Sequence, residues 1–312
     1  MVKPKLIIHG GAGNSLAGKG TILEVRKCLY SILDAVYPLL QQGGTAKEAV
    51  VKGCKLLEDE PRFNAGTGSV LQSDGQIRMS AGLMDGSDHA FSGVINVSRV
   101  KNPIDLALAL QSSKDRILSE YGCAEFMREF QIPIYNPMTD RRLQEWVEER
   151  HNDFQRKSAN VLAGGSARHG TIGVVALDSH GRLAAGTSTG GKGFEKIGRV
   201  SDSPMPAGNY ANDYAGMSCT GIGEDIIDEC FAARVVIRVT DGLSLQQALD
   251  RSFKEATERK RDFAAISIDY TGTIGWGKSC DLLTAAYHDG DKIGDSLEAE
   301  AGTQVATIIP QM

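Results

Sequence analysis

Four clusters of threonine and glycine in the second half of the chain carry the residue types that amide hydrolysis needs. They are Gly170-Thr171, Thr187-Ser188-Thr189-Gly190-Gly191, Gly198-Arg199-Val200-Ser201-Asp202 and Thr220-Gly221-Ile222-Gly223-Glu224. Taken singly, each also reads as a strand end or a turn, where threonine and glycine commonly sit. Together they supply a nucleophile, orienting hydroxyls, backbone N–H donors and charged groups, on condition that Thr171 becomes a chain terminus. An internal threonine hydroxyl is a poor nucleophile. An N-terminal threonine carries a free α-amine, of pKa about 7.7–8.0, that can act as its own general base. Cutting the Gly170–Thr171 bond creates that catalyst, and Gly170, with no Cβ, lets the backbone bend so that the Thr171 hydroxyl approaches the preceding carbonyl.

Other constellations compete. Gly13-Asn14-Ser15-Leu16-Ala17-Gly18-Lys19-Gly20 is a near match to the phosphate-binding pattern G-x-x-x-x-G-K-[ST], with Val174 to Asp178 as a candidate magnesium-holding strand. The position after Lys19 is Gly20, however, and Thr21 comes one residue late and serves as a helix cap. A nucleotide site at Gly13–Lys19 is the alternative from a different functional class. His9, His89, His151, His169, His180 and His288 lack zinc spacing, and no G-x-S-x-G elbow occurs. No cofactor is expected for catalysis.

The elements that position these groups follow from periodicity and capping. Lys5–His9 reads as a buried strand ending in glycines. Thr21/Glu24 and Thr45/Glu48 are capping-box signatures opening helices to Gly43 and Leu57, and the loop Phe63–Gly68 follows the second. Strands are expected at 76–81 and 91–97, and a helix from Pro103 to Gln111. Residues 141–157 turn charged and amide-rich and 158–170 small, the signature of an exposed connector. Thr171–Asp178 and Arg182–Thr189 then form a hairpin, 224–239 a buried helix, Ser244/Gln247 cap another, and 263–269, 274–278 and 282–287 a meander. The class is α+β, antiparallel sheets with helices layered outside, in one domain.

Glycine makes up 36 of 312 residues, above the usual share of roughly 7 %, without any G-x-y period. With 34 basic against 39 acidic residues, a net charge of −5 and no run of five like charges, the chain has no electrostatic footprint for nucleic acid or an anionic membrane. Small molecules or peptides are the expected substrates. No signal-peptide core or 18-residue apolar run is present, and six scattered cysteines fit reduced thiols, so a cytoplasmic protein is expected.

The ordered elements His9–Gly13, Leu57–Gly68, Met84–Gly86, Gly170–Asp178, Thr187–Gly191, Gly198–Pro204 and Thr220–Glu224 resemble those of the plant-type asparaginase/isoaspartyl aminopeptidase family. The resemblance implies the four-layer αββα sandwich of N-terminal nucleophile hydrolases. It also implies one catalytic domain, 1–312, self-cleaved into an α subunit, 1–170, with a flexible linker at about 155–170, and a β subunit, 171–312, assembled as (αβ)2. Carried over by position, it implies that Thr171 is the nucleophile, Thr189 orients it, and Thr220 with the Gly221 N–H forms the oxyanion hole. Arg199 would grip a substrate α-carboxylate, and Asp202 with the Gly223 carbonyl would hold the α-ammonium, so that β-aspartyl dipeptides and L-asparagine are cleaved to L-aspartate. The backbone carbonyls of Leu57, Glu58, Glu60, Phe63, Ala65 and Thr67 would ligate a structural sodium, although Glu58-Asp59-Glu60 equally reads as a solvated acidic turn. Asn64 takes a supporting role. Ser80, Ser201 and a short Pro204–Tyr210 stretch depart from the family's usual pattern at the pocket rim, and Glu258–Phe263 stands where the family often carries a glycine-rich loop. Glycosylasparaginases, with the same mechanism, resemble part of the second half and are the alternative within enzymes.

Overall fold

The structure, a computed structural model, describes residues 2–16, 18–151 and 170–310. Its elements are β1 (Lys5–Gly13), α1 (Ile22–Gln41), α2 (Ala46–Glu58), β2 (Met79–Asp85), β3 (Ala90–Val97), α3 (Pro103–Leu110), β4 (Ile117–Ser119), α4 (Glu120–Glu129) and α5 (Asp140–His151), then β5 (Ile172–Leu177), β6 (Leu183–Thr189), β7 (Asn209–Ala211), β8 (Ala215–Gly221), α6 (Gly223–Glu229), α7 (Phe231–Thr240), α8 (Leu245–Glu258), β9 (Phe263–Asp269), β10 (Ile274–Lys278), β11 (Leu282–His288), β12 (Ile293–Asp295) and β13 (Gln304–Ile308). The class is α+β. The capping boxes at Thr21/Glu24, Thr45/Glu48 and Ser244/Gln247 are all formed, each satisfying N–H groups that a helix start leaves open, for about 1 kcal/mol apiece.

An eight-stranded sheet runs β12-β11-β1-β5-β6-β2-β3-β4, antiparallel except for the β3/β4 edge, and a five-stranded antiparallel sheet runs β13-β10-β9-β8-β7. Strand β5 shows how they pack. Ile172, Val174 and Ala176 join Leu29 of α1 and Val50 of α2, while Val175 and Leu177 meet Ile266 and Ile268 of β9. Because side chains alternate between faces, a strand buried on both sides reads as one apolar run. A third cluster joins Met217 and Cys219 of β8 to Phe231 and Val235 of α7 and to Leu249 and Phe253 of α8. Among the described residues no helix is long and apolar enough to cross a membrane.

Four sequence expectations need correction. Residues 140–151 are not connector but helix α5. Its charged residues are good helix formers, and it is pinned by the Arg142 Nε donating to the Gly68 carbonyl at 2.7 Å and the Trp146 Nε1 donating to that of Gln72 at 2.9 Å. Residues 155–169 of the expected linker lie outside the described residues. The helix expected over 224–239 is two, α6 and α7, broken at Cys230, whose φ of 45° is left-handed; its apolar periodicity gives no sign of that turn. The third strand of the expected meander, β11, pairs with β1 in the larger sheet rather than with β10, since an apolar run does not encode which sheet it joins. The strand expected at 76–81 begins at Met79 and continues to Asp85.

Candidate active site

Strand crossing gathers the threonines. In the β5/β6 hairpin Ile172 pairs with Ser188, and the Thr171 hydroxyl donates to the Thr189 Oγ1 at 3.2 Å. That oxygen also accepts from the Gly191 N–H at 3.1 Å, so its position is fixed from two sides. The other sheet lies across this hairpin. A methyl placed on Gly216 of β8 would sit 3.0 Å from the Val175 Cγ1, and one on Gly173 only 1.9 Å from the Ser218 Oγ. Each step of two along β8 therefore moves two residues back along β5, which brings Thr220 opposite Thr171. The Thr220 hydroxyl is fully buried and has no hydrogen-bond partner among the described residues. A buried hydroxyl left without a partner is costly, and a developing oxyanion would satisfy it.

One step deeper a second polar layer repeats the pattern. Thr187 and Ser218, two residues before Thr189 and Thr220, bond Oγ1 to Oγ at 2.6 Å, and Ser218 meets the His9 Nε2 at 3.0 Å. Burial pushes the His9 imidazole down to about 3, so the ring is neutral. Sequence reading quoted His9 and Thr187 without giving them this task and missed Ser218. The period of two from Thr189 and Thr220 was the available signal.

Asn64, expected in a supporting role, makes four hydrogen bonds in the site. Its N–H donates to the Gly170 carbonyl at 3.1 Å, and its carbonyl accepts from the Gly190 N–H at 2.9 Å. Its side chain accepts from the Val70 N–H at 2.9 Å and donates to the Gly191 carbonyl at 2.6 Å. The loop thus ties the carbonyl of the expected scissile bond to the glycines that follow Thr189.

The charged groups expected to bind substrate do meet. A side chain starting on Gly223 would lie 2.7 Å from the Arg199 Nη2 and 2.8 Å from the Asp202 Oδ1. Burial pushes the Asp202 carboxyl up to about 7 against the pull of Arg199, and its Oδ2 has no partner among the described residues. Arg199 forms a bidentate pair with Glu224, both N···O distances being 2.9 Å. Partial burial would raise the Glu224 carboxyl, but the Arg199 hydrogen bonds and charge outweigh it and hold the group at about 2. Glu224 thereby marks the fork–fork geometry in which Arg199 receives a carboxylate.

The loop expected to hold sodium folds tightly. The Glu58 carbonyl accepts from the Thr67 N–H at 2.8 Å and that of Glu60 from the Phe63 N–H at 3.1 Å, and a Cβ on Gly66 would stand 2.4 Å from the Glu58 oxygen. Each such carbonyl keeps a second lone pair, the hard-oxygen chemistry that an alkali cation takes. Among the described residues no cluster of His, Cys, Asp and Glu could hold a metal. The described residues of the Gly13–Lys19 run show no phosphate cradle. The Thr21 N–H is taken by Glu24, and Lys19 turns inward to donate to the Gly10 carbonyl at 2.8 Å.

A sequence model of the family described as asparaginase matches residues 2–298. A Nostoc sp. protein named isoaspartyl peptidase/L-asparaginase is 66 % identical over 98 % of each chain. One of the same name from Synechocystis sp. is 63 % identical over 96 % of this chain and 92 % of its own. A third, from Homo sapiens, is 33 % identical over 93 % and 94 %.

Proposed function

The chain belongs to the asparaginase family, and from the site just described we propose that it is a threonine hydrolase that releases L-aspartate from β-aspartyl dipeptides and L-asparagine after cutting its own Gly170–Thr171 bond. One observation carries this reading. The Thr171 hydroxyl rests on Thr189, while the carbonyl one bond upstream is held by the Asn64 N–H.

Once freed, the Thr171 amine takes the hydroxyl proton and Oγ attacks the side-chain amide carbon of the substrate. The oxyanion develops toward the Thr220 hydroxyl and the Gly221 N–H, donors fixed before the reaction starts. The proton passes to the leaving amine, and an aspartyl ester of Thr171 remains. Water then enters with the same amine as base, aspartate departs, and the hydroxyl is restored. Arg199 and Asp202 recognise the α-carboxylate and α-ammonium, and Gly223 adds its carbonyl.

The same reading includes the four-layer αββα arrangement, an (αβ)2 assembly of two self-cleaved copies and a cytoplasmic location. The carbonyls of Leu57, Glu58, Glu60, Phe63, Ala65 and Thr67 would hold a structural sodium that cross-links the loop carrying Asn64. Intact mass of the purified protein tests the core claim. Fragments ending at Gly170 and beginning at Thr171 are expected, with Thr171→Ala remaining whole and inactive; an intact wild type at full activity overturns the reading. Assaying β-aspartyl-leucine, asparagine and a glycosylated asparagine side by side separates this substrate class from a glycosylasparaginase.

A further inference from the structure

Lys19 is buried at 8 % exposure, and among the described residues its ammonium makes one hydrogen bond, to the Gly10 carbonyl at 2.8 Å. The cation lies against the expected scissile bond. A Cβ on Gly170 would stand 2.7 Å from the Lys19 Nζ and 2.4 Å from the Gly10 oxygen, and one on Gly11 would stand 2.9 Å from the same nitrogen and 2.1 Å from the Gly170 Cα. Position 170 therefore packs directly on the ammonium. Burial pushes Lys19 down to about 8, the Arg142 charge adds to the shift and Cys280 opposes it, and among the described residues no carboxylate acts on it. A buried cation without a counter-charge is expensive to keep, and proteins rarely keep one without use.

Cleavage itself would make the missing counter-charge. The Thr171 Oγ attacks the Gly170 carbonyl carbon, the C–N bond breaks, and the Thr171 nitrogen leaves as an amine, giving a Gly170 ester. Water hydrolyses that ester, so Gly170 ends as a carboxylate, Thr171 regains its hydroxyl, and the released proton is taken up by the new amine. We propose that Lys19 is a positioning residue for this maturation: its ammonium holds Gly10 and Gly170 together in the intact chain and pairs with the carboxylate formed at Gly170. The proposal rests on the reading of Gly170–Thr171 as the self-cleaved bond.

The test is a time course of cleavage, followed by intact mass on full-length chain from cell-free synthesis. It compares wild type with Lys19→Met, which keeps the stem but not the charge, and Lys19→Arg, which keeps the charge. Lys19→Met should slow cleavage about tenfold or more, and Lys19→Arg should recover most of the rate, as expected for a lost charge-assisted contact. Equal rates for Lys19→Met and wild type, or Lys19→Arg as slow as Lys19→Met, overturn the proposal. Folding is checked in a Thr171→Ala background, which never forms the carboxylate. There Lys19→Met should melt no lower than its parent, and a drop of several degrees makes Lys19 a structural strut and overturns the proposal too. A wild type that never cleaves instead overturns the self-cleavage reading beneath it.

Discussion

Two sides of the pocket are built on opposite principles. Around Thr171, apart from the Lys19 ammonium packed behind Gly170, the groups are neutral: hydroxyls of Thr189 and Thr220, backbone N–H groups, the Asn64 amide and a His9 held uncharged. Around Arg199 they are charged and crowded, with Asp202 raised to about 7 and Glu224 held at about 2. Neutral donors need no counter-ion and cost little to bury when paired, so they can wait in place for charge that appears only during reaction. Buried charges carry a desolvation cost that a partner must offset, and here an internal carboxylate stands in for the substrate's. Transition-state stabilisation should accordingly reside on one side and substrate affinity on the other.

Mutations on the two sides should separate in the kinetics. Thr220→Ala removes a donor aimed at developing charge, and kcat should fall by about 10²–10³-fold with KM little changed. A loss confined to KM would merge the two sides. Arg199→Lys keeps the charge but loses the fork, so kcat/KM should fall by about 10–100-fold, mainly through KM, as titration with β-aspartyl-leucine would reveal. The pH profile sharpens the contrast further. Asp202 binds an ammonium only when ionised, so kcat/KM should climb as pH rises through about 7. In Asp202→Asn that rise should vanish, leaving the Thr171 amine, of ordinary pKa about 7.7–8.0, to govern the profile. An unchanged profile would mean that Asp202 does not titrate on binding. Smallest is Ser218→Ala, which leaves Thr187 and His9 without their shared partner; stability should fall by about 1–3 kcal/mol in urea melts, with kcat affected less than by Thr220→Ala.

Thr171, Thr189, Thr220, Gly221, Arg199 and Asp202, the residues proposed to act here, stood out as candidates because they lie in short motifs around glycine, and the family resemblance supplied the roles proposed for them. The helix starts were legible too, since Thr21, Thr45 and Ser244 each stand three residues before a Glu or Gln. What stayed hidden depends on contacts between distant segments. Ser218 looks like any strand serine until Gly173 lets β8 cross β5 there. Lys19 stood in a phosphate-loop pattern, and only folding turns it toward Gly170. The α5 segment reads as solvent-loving because its docking uses Arg142 and Trp146 polar atoms rather than an apolar stripe.

The order of the larger sheet has a consequence for how the enzyme is lost. Strand β1, from the segment before the Gly170–Thr171 bond, is sandwiched between β5 and β11, both from the segment after it, and β6 in turn pairs with β2. While the chain is continuous, unfolding and refolding are unimolecular. Once it is nicked, the fragments stay woven together by backbone hydrogen bonds, but melting them becomes a dissociation, with a midpoint that depends on protein concentration. Neither fragment can rebuild that sheet alone. On the proposed reading, the cut that creates the catalyst would also turn a single-chain fold into a two-fragment complex, whose persistence on dilution depends on how slowly the shared sheet opens.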